Sequence, residues 1–199
     1  VLPSQRGKGL GQALMDAMRE AAWSNGCDLI QLEVIAGNAP ARRLFVLNGF
    51  VDVRDLLVVR RPPRTGQTAP LIDPAITITP IAADDIAGVL ATRTDTPSWL
   101  DESSSLIKWG KLRGYEAIDP NRYRSWVVYH AGTLQLSHFA FGDFITEKMA
   151  RTLIFAVHAA HPQNDTKIEN LPANSPYWPV MQSLGYIPTF TRQEMVLYR

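Results

Sequence analysis

Apolar residues in the first quarter of the chain change period from helix to strand and back. Leu10, Ala13, Leu14, Ala17, Met18, Ala21 and Ala22 form one continuous stripe at helical spacing, while Gln12, Asp16, Arg19 and Glu20 fall off it. Asn25-Gly26 ends this helix, because glycine enters the left-handed conformation without a Cβ clash. Leu29–Ile35 then alternates Ile30, Leu32 and Val34 with Gln31 and Glu33, the pattern of a half-buried strand. Asn38 is a good N-cap, Pro40 suits a first turn, Ala41, Leu44 and Phe45 share a face, and Asn48-Gly49 stops a short second helix. Phe50 to Arg61 reads as another strand.

Beyond it, residues 62–74 are proline-rich and predict a semi-extended linker. The remainder, 75–199, gives a strand at Ile76–Thr79, helices at Ala83–Ala91 and Leu100–Leu112, and strands at Ser125–His130 and Thr133–Phe141 around Ala131-Gly132. Ile168–Leu171, Pro176–Leu184 and Ile187–Tyr198 complete a strand, helix, strand ending. Gly114–Tyr123 has no clear period.

Candidate chemistry concentrates at Arg6-Gly7-Lys8-Gly9-Leu10-Gly11, which runs into the first helix. Alternate glycines allow a tight turn that brings several amide N–H groups to one ligand, and the helix start adds unpaired N–H groups and the positive dipole end. Arg6 and Lys8 add charge, so the segment suits a phosphate-bearing ligand; a plain glycine turn opening a helix fits it as well. A P-loop requires Ser or Thr after the lysine, and Gly9 stands there. A dinucleotide fingerprint requires a third Gly or Ala where this chain has Gln12 or Leu14.

The succession of glycine loop, long helix, strand, Asn-capped helix and strand resembles the GCN5-related N-acetyltransferase (GNAT) superfamily. Arg6–Gly11 is similar to that family's Arg/Gln-x-x-Gly-x-Gly/Ala acetyl-CoA motif, and Asn38–Phe50 to its Asn-x-x-Ala-x-x-Leu-Tyr-x-x-x-Gly-Phe pattern. The resemblance implies an α/β (α+β by some schemes) acyl-CoA N-acyltransferase fold, a mixed, mostly antiparallel sheet flanked by helices. It implies that acetyl-CoA is the co-substrate, with backbone amides from Arg6, Gly7, Lys8, Gly9, Leu10 and Gly11 on the pyrophosphate. Val1, at the end of a splayed strand, would offer backbone groups to the pantetheine and thioester, and Asn38 would touch the pantetheine or thiol end. Phe45 stands where many members carry a proton-donating Tyr, and it has no proton to give. No catalytic residue is assigned: the family's base lies on strands upstream of Val1, and Glu33 reads better as a solvated strand position.

One constant shift aligns the two ends of the chain. Glu33 with Glu169, Asn38 with Asn174, Pro40 with Pro176, Gly49 with Gly185 and Phe50 with Tyr186 each differ by 136. The helix stripe returns as Met149, Ala150, Leu153, Ile154 and Val157. Two copies of one fold are therefore expected, 1–61 being a C-terminal half and 75–199 a second, degenerate copy, with roughly sixty residues missing from the first. In the second copy the loop becomes Gly142-Asp-Phe-Ile-Thr-Glu147, whose carboxylates repel a pyrophosphate.

Composition narrows the rest. The chain has 199 residues, 46% of them hydrophobic, without an apolar run of membrane length. Lys and Arg exceed Asp and Glu by 9 to 6 in the first 65 residues, against 11 to 13 afterwards, which suits a phosphate ligand and falls short of a nucleic-acid surface. Cys27 is expected to be a buried residue at a strand start. His158 and His161 lack companions for a metal site, His130 and His138 read as surface or half-buried, and Trp99, Trp109, Trp126 and Trp178 as packing. The expected function is cytoplasmic N-acetyl transfer from acetyl-CoA to a small-molecule or peptide primary amine. No metal, nucleic acid or membrane is expected, and a homodimer is left open. The alternative is a non-catalytic CoA-binding or regulatory pseudoenzyme or scaffold.

Overall fold

The computed structural model describes residues 1–63 and 73–199, so most of the 62–74 linker lies outside the described residues. The chain divides into two compact units, Val1–Leu56 with Phe190–Arg199, and Leu57–Thr189. These units cut the chain at other places than the segments 1–61 and 75–199.

In the first unit, α1 (Leu10–Ser24) leads to β1 (Leu29–Ile35), then α2 (Ala39–Leu47) and the opening of β2 (Val51–Arg61). The end of β8 (Ile187–Tyr198) completes this unit. Strand order is β1-β8-β2, and β1 runs antiparallel to β8 from Leu29 opposite Tyr198 to Ile35 opposite Arg192. Met15, Val34, Phe50 and Met195 form the buried cluster, with Ile30, Leu32, Leu44, Phe45 and Leu197 packed against it. The Leu29–Ile35 strand and both helix stops fall where the sequence puts them. The face of α1 does not: Met15, off the apolar stripe, is buried, while Ala13, Leu14, Ala17, Met18 and Ala21 are exposed. Cys27 is also exposed, in the turn before β1, and not buried at its start.

Glu33 is not the solvated residue expected. Its carboxylate is 9% exposed and accepts from Arg192 at 3.3 Å. Glu33 lies opposite Glu194, a like-charge pairing that is unfavourable unless each carboxylate has a cation. Glu194 is held by Arg54 Nε at 2.7 Å and by Gln31.

In the second unit, β3 (Thr77–Pro80), α3 (Ile86–Leu90) and α4 (Ser103–Trp109) precede β4 (Leu112–Ile118), β5 (Arg124–Ala131) and β6 (Gln135–Phe141). α5 (Glu147–Ala160), β7 (Asp165–Pro172) and α6 (Tyr177–Ser183) follow. Strand order is β3-β4-β5-β6-β7-β2; β3 to β6 are antiparallel, and β6 meets β7 in parallel at Gln135–Asp165 and Leu136–Thr166. The fold is thus the mixed, mostly antiparallel sheet with flanking helices that the sequence implies. α5 is its central core helix, burying Met149, Ala150, Leu153, Ile154 and Val157.

Two expected helices are broken. Ala83–Ala91 starts as a 3-10 turn over Ala83–Asp85 before α3. Leu100–Leu112 becomes a 3-10 turn over Trp99–Asp101 and a shorter α4, divided by extended Glu102 and ended by Gly110 at φ 69°. The patternless Gly114–Tyr123 region contains most of β4, the early strand that the sequence did not place.

Candidate cofactor site

A turn ahead of α1 builds the site. Pro3–Gln5 is a 3-10 turn closed by Gln5 N–H to the Leu2 carbonyl at 2.9 Å and Arg6 N–H to the Pro3 carbonyl at 3.2 Å. The chain then passes through Gly7 and Gly9 at φ 75° and 77°, a left-handed backbone that a Cβ would strain. Gly9 is the N-cap of α1 and has no side chain with which to cap it. Amides from Gly7 to Gln12 consequently donate to no backbone acceptor among the described residues. A Cβ added at Gly7 or Gly9 would meet nothing within 4 Å, so the loop amides border open space. Unpaired N–H groups at the positive end of a 15-residue helix are suited to an anion.

Gly11 has a different use. A Cβ there would lie 3.2 Å from Leu44 Cδ2, so the missing side chain lets α1 approach α2 closely. Gln12 Nε2 donates to Asn48 Oδ1 at 2.7 Å, and Asn48 Nδ2 donates back to Gln12 Oε1 at 2.9 Å. This reciprocal clasp fixes the first turn of α1 against the last turn of α2. Asn38 caps α2, its side chain accepting from Ala41 N–H at 3.3 Å.

Seven of the sequence-derived positions line a single cavity of about 440 Å³: Val1, Arg6, Gly7, Gly9, Leu10, Gly11 and Asn38. Gln5, Pro40, Ala41 and Leu44 complete its wall, which contains no acidic side chain. Lys8 is not in the lining; its Nζ donates to Gln5 Oε1 at 2.9 Å. Phe45 turns away from the cavity, its ring 5.8 Å from that of Phe50. The wall residues and the Gln12–Asn48 clasp were not identified from sequence. Pro40, Ala41 and Leu44 were read as helix positions, Ala41 and Leu44 also as residues of the resembled motif, but not as a cavity wall, and nothing local connects Gln12 to Asn48.

At the 136-residue shift, the second unit treats the same place differently. Thr146 caps α5 by accepting from Met149 N–H at 3.2 Å, and Glu147 stands in its first turn. Phe144 replaces Lys8 and meets Tyr177 edge-on at 5.1 Å, while Phe141 stacks on Tyr177 at 4.2 Å. The Tyr177 hydroxyl donates to the Gly142 carbonyl at 3.0 Å. Burial pushes its pKa up to about 12, which keeps it a neutral donor. This helix start has the side-chain cap that α1 lacks.

The remaining candidates are structural. His158 is buried against the Tyr186 hydroxyl at 2.9 Å, and His161 lies 3.0 Å from that of Tyr129. His130 and His138 are half-buried, Trp126 is buried, and Trp99 and Trp109 are exposed. Among the described residues no group of three or more His, Cys, Asp or Glu is placed to hold a metal, and no helix is long and apolar enough to cross a membrane.

The mixed, mostly antiparallel sheet with flanking helices is the fold of GNAT-type acyltransferases. Residues 1–50 match the acetyltransferase (GNAT) family, the resemblance read from Arg6–Gly11 and Asn38–Phe50. Over its whole length the chain is similar to the GCN5-related N-acetyltransferase from Sphaerobacter thermophilus, at TM-score 0.65 and 16% identity, covering 70% of that chain. It likewise matches a tandem GNAT protein from the clavulanic acid biosynthesis pathway at TM-score 0.60 and 14% identity, covering 72% of that chain. A GCN5-related N-acetyltransferase from Kribbella flavida matches 94% of this chain at TM-score 0.57 and 15% identity, over 74% of its own length. No curated protein matches the sequence. Family segment and fold together support acyl transfer in general.

Proposed function

We propose that the first unit binds acetyl-CoA and that the protein is an N-acetyltransferase acting on a primary amine. The observation that carries this reading is the run of amides from Gly7 to Gln12 without a backbone acceptor, of which Gly7, Gly9, Leu10 and Gly11 line the same cavity as Asn38. Pyrophosphate oxygens fit the amides at Gly7 and Gly9, where an added Cβ would meet nothing within 4 Å, and at the neighbouring Leu10, and Arg6 adds positive charge. Pro40, Ala41 and Leu44 offer an apolar wall to the pantetheine, and the Asn38 side chain offers an amide beside it. Bound acetyl-CoA supplies an acetyl group activated as a thioester. The chain's own part is to hold and orient that group and to keep water from it. The acceptor is a small-molecule or peptide amine.

A second reading, a non-catalytic CoA-binding module, draws support from Phe45, which packs into the core and carries no proton. Calorimetry with CoA and acetyl-CoA on the natural polypeptide containing this sequence tests the binding. Wild type should bind in the micromolar range; Gly9→Glu, which puts a carboxylate among the amides, should not, while Gly9→Ala controls for backbone strain. No binding by wild type, or equal binding by Gly9→Glu, overturns the site. Release of CoA thiol in the presence of amines then separates enzyme from module.

A further inference from the structure

We propose that His130 and His138 are the two protein ligands of a divalent transition-metal site, with Ser137 and Asp101 orienting their rings. The site lies wholly within the second unit and is independent of the cofactor reading.

A bulge in β6 brings the two imidazoles together. Val128 pairs with Ala140 and His130 with Ser137, so Tyr129 alone faces two residues, His138 and Phe139. Such an extra residue re-aims the side chains around it. Phe139 stacks on Tyr129 at 5.4 Å in the core around α5. Ser137 and His138, although consecutive, are both half-buried outside that core. His138 holds its position at φ 52°, a left-handed backbone that strains a residue with a Cβ. The backbone alone would favour glycine there; what histidine adds is its ring.

The ring nitrogens are divided as metal ligation requires. His138 Nδ1 lies 3.1 Å from Asp101 Oδ1, on a carboxylate only 9% exposed. Asp101 is itself fixed, its backbone carbonyl accepting from Arg93 at 2.6 Å. His130 Nδ1 lies 3.3 Å from Ser137 Oγ. Neither Nε2 has a hydrogen-bond partner among the described residues. Among those residues the one ring nitrogen both buried and unpartnered is His158 Nδ1, so the Nε2 atoms of His130 and His138 reach solvent. An acceptor on one ring nitrogen fixes the tautomer and turns the lone pair of the other outward, the arrangement behind metal-binding histidines.

The two ring centroids are 6.2 Å apart, with their planes at 77°. An ion held at about 2.0–2.1 Å by each Nε2 needs centroids roughly 5 to 6.5 Å apart. Trp109 stacks on His138 at 5.0 Å and meets His130 at 6.5 Å, which restrains both rings. Imidazole ligands suit Zn²⁺, Cu²⁺ or Ni²⁺ and not Mg²⁺ or Ca²⁺. Two protein ligands leave the other coordination positions to water. The ion would tie β5 to β6 at the bulge.

Calorimetry with Zn²⁺ and with Cu²⁺ on the natural polypeptide containing this sequence tests the site, and electron paramagnetic resonance of the copper form counts the nitrogens bound. One ion should bind with micromolar affinity through two imidazole nitrogens. His138→Gly suits the left-handed backbone, so it keeps the fold while removing a ligand; His130→Ala removes the other. Each should weaken binding at least about tenfold. Asp101→Asn should weaken it about tenfold with two nitrogens still on the copper, a change that a merely structural contact would not produce. Trp109→Phe should keep the affinity and reduce the quenching of tryptophan fluorescence by Cu²⁺. Absence of micromolar binding overturns the proposal, as does a loss of less than about tenfold in either histidine variant. Equal affinity in Asp101→Asn overturns its positioning role.

Discussion

His158 should make the second unit sensitive to mild acid. It sits on α5 at 6% exposure, with Nε2 against the Tyr186 hydroxyl. Its Nδ1 is buried with no hydrogen-bond partner among the described residues, so no acceptor awaits a second proton. Burial pushes its pKa down from 6.5 to about 3, and the Arg61 and His161 charges push the same way. Between those values the unfolded chain binds the proton and the folded chain does not. Stability from this group is therefore complete above about pH 6.5 and drains as pH falls toward the folded value. From about pH 7.5 to about pH 5 the loss is about 2 kcal/mol, since each pH unit below the unfolded pKa removes about 1.4 kcal/mol. Urea unfolding at the two pH values, in wild type and in His158→Gln, isolates the effect. Gln fills similar space and cannot ionise, and any constant cost of the substitution cancels in the pH difference. Wild type should lose about 2 kcal/mol more than the variant over this interval. The same pH dependence in both proteins would show that His158 is protonated as readily in the folded state, and the argument from burial would be wrong.

Two further substitutions address the first unit. Glu194→Gln removes the buried carboxylate bound by Arg54 and Gln31 and should cost about 3 kcal/mol in chemical denaturation; a loss under about 1 kcal/mol would mean that the ion pair contributes no more than a surface pair. Gln12→Ala breaks the clasp to Asn48 and should cost about 1 to 2 kcal/mol; it should also weaken acetyl-CoA binding measured by calorimetry, and a stability loss with unchanged affinity would separate the clasp from the loop.

What could be read from the chain divides by the range of the interactions. The Leu29–Ile35 strand, Asn38 as a cap and the glycine stops are set within a few residues, so local pattern was sufficient. β4 was hidden because it contains Gly114, a poor strand former. A Cβ there would lie 2.9 Å from both Ile81 Cδ1 and the Val127 carbonyl oxygen, so packing from elsewhere dictates the residue. The stripe on α1 identified a helix but not what covers it, since burial belongs to the neighbours. The site divides in the same way. Its glycine loop was legible, while the Gln12–Asn48 clasp joins residues 36 positions apart and left no signal.

The pairing of terminal strands is the clearest case of information held across the chain. β2 and β8 start at Val51 and Ile187, equivalent positions at the 136-residue shift, so an apolar pattern alone does not choose which one lies beside β1. Yet it is β8 that pairs with β1, and its residues 190–198 belong to the first unit although they come from the other end of the sequence. Charge supplies the choice. Arg192 neutralises Glu33, and Glu194, facing Glu33, is in turn neutralised by Arg54. At the equivalent positions β2 carries Leu56 and Val58. With β2 in that place, Glu33 would lose the arginine that β8 brings to it and face an apolar residue. Leaving a shielded carboxylate without its cation costs several kcal/mol, more than the difference between two similar apolar strands. The apolar pattern makes the strands interchangeable in form, and the two ion pairs settle which one pairs with β1.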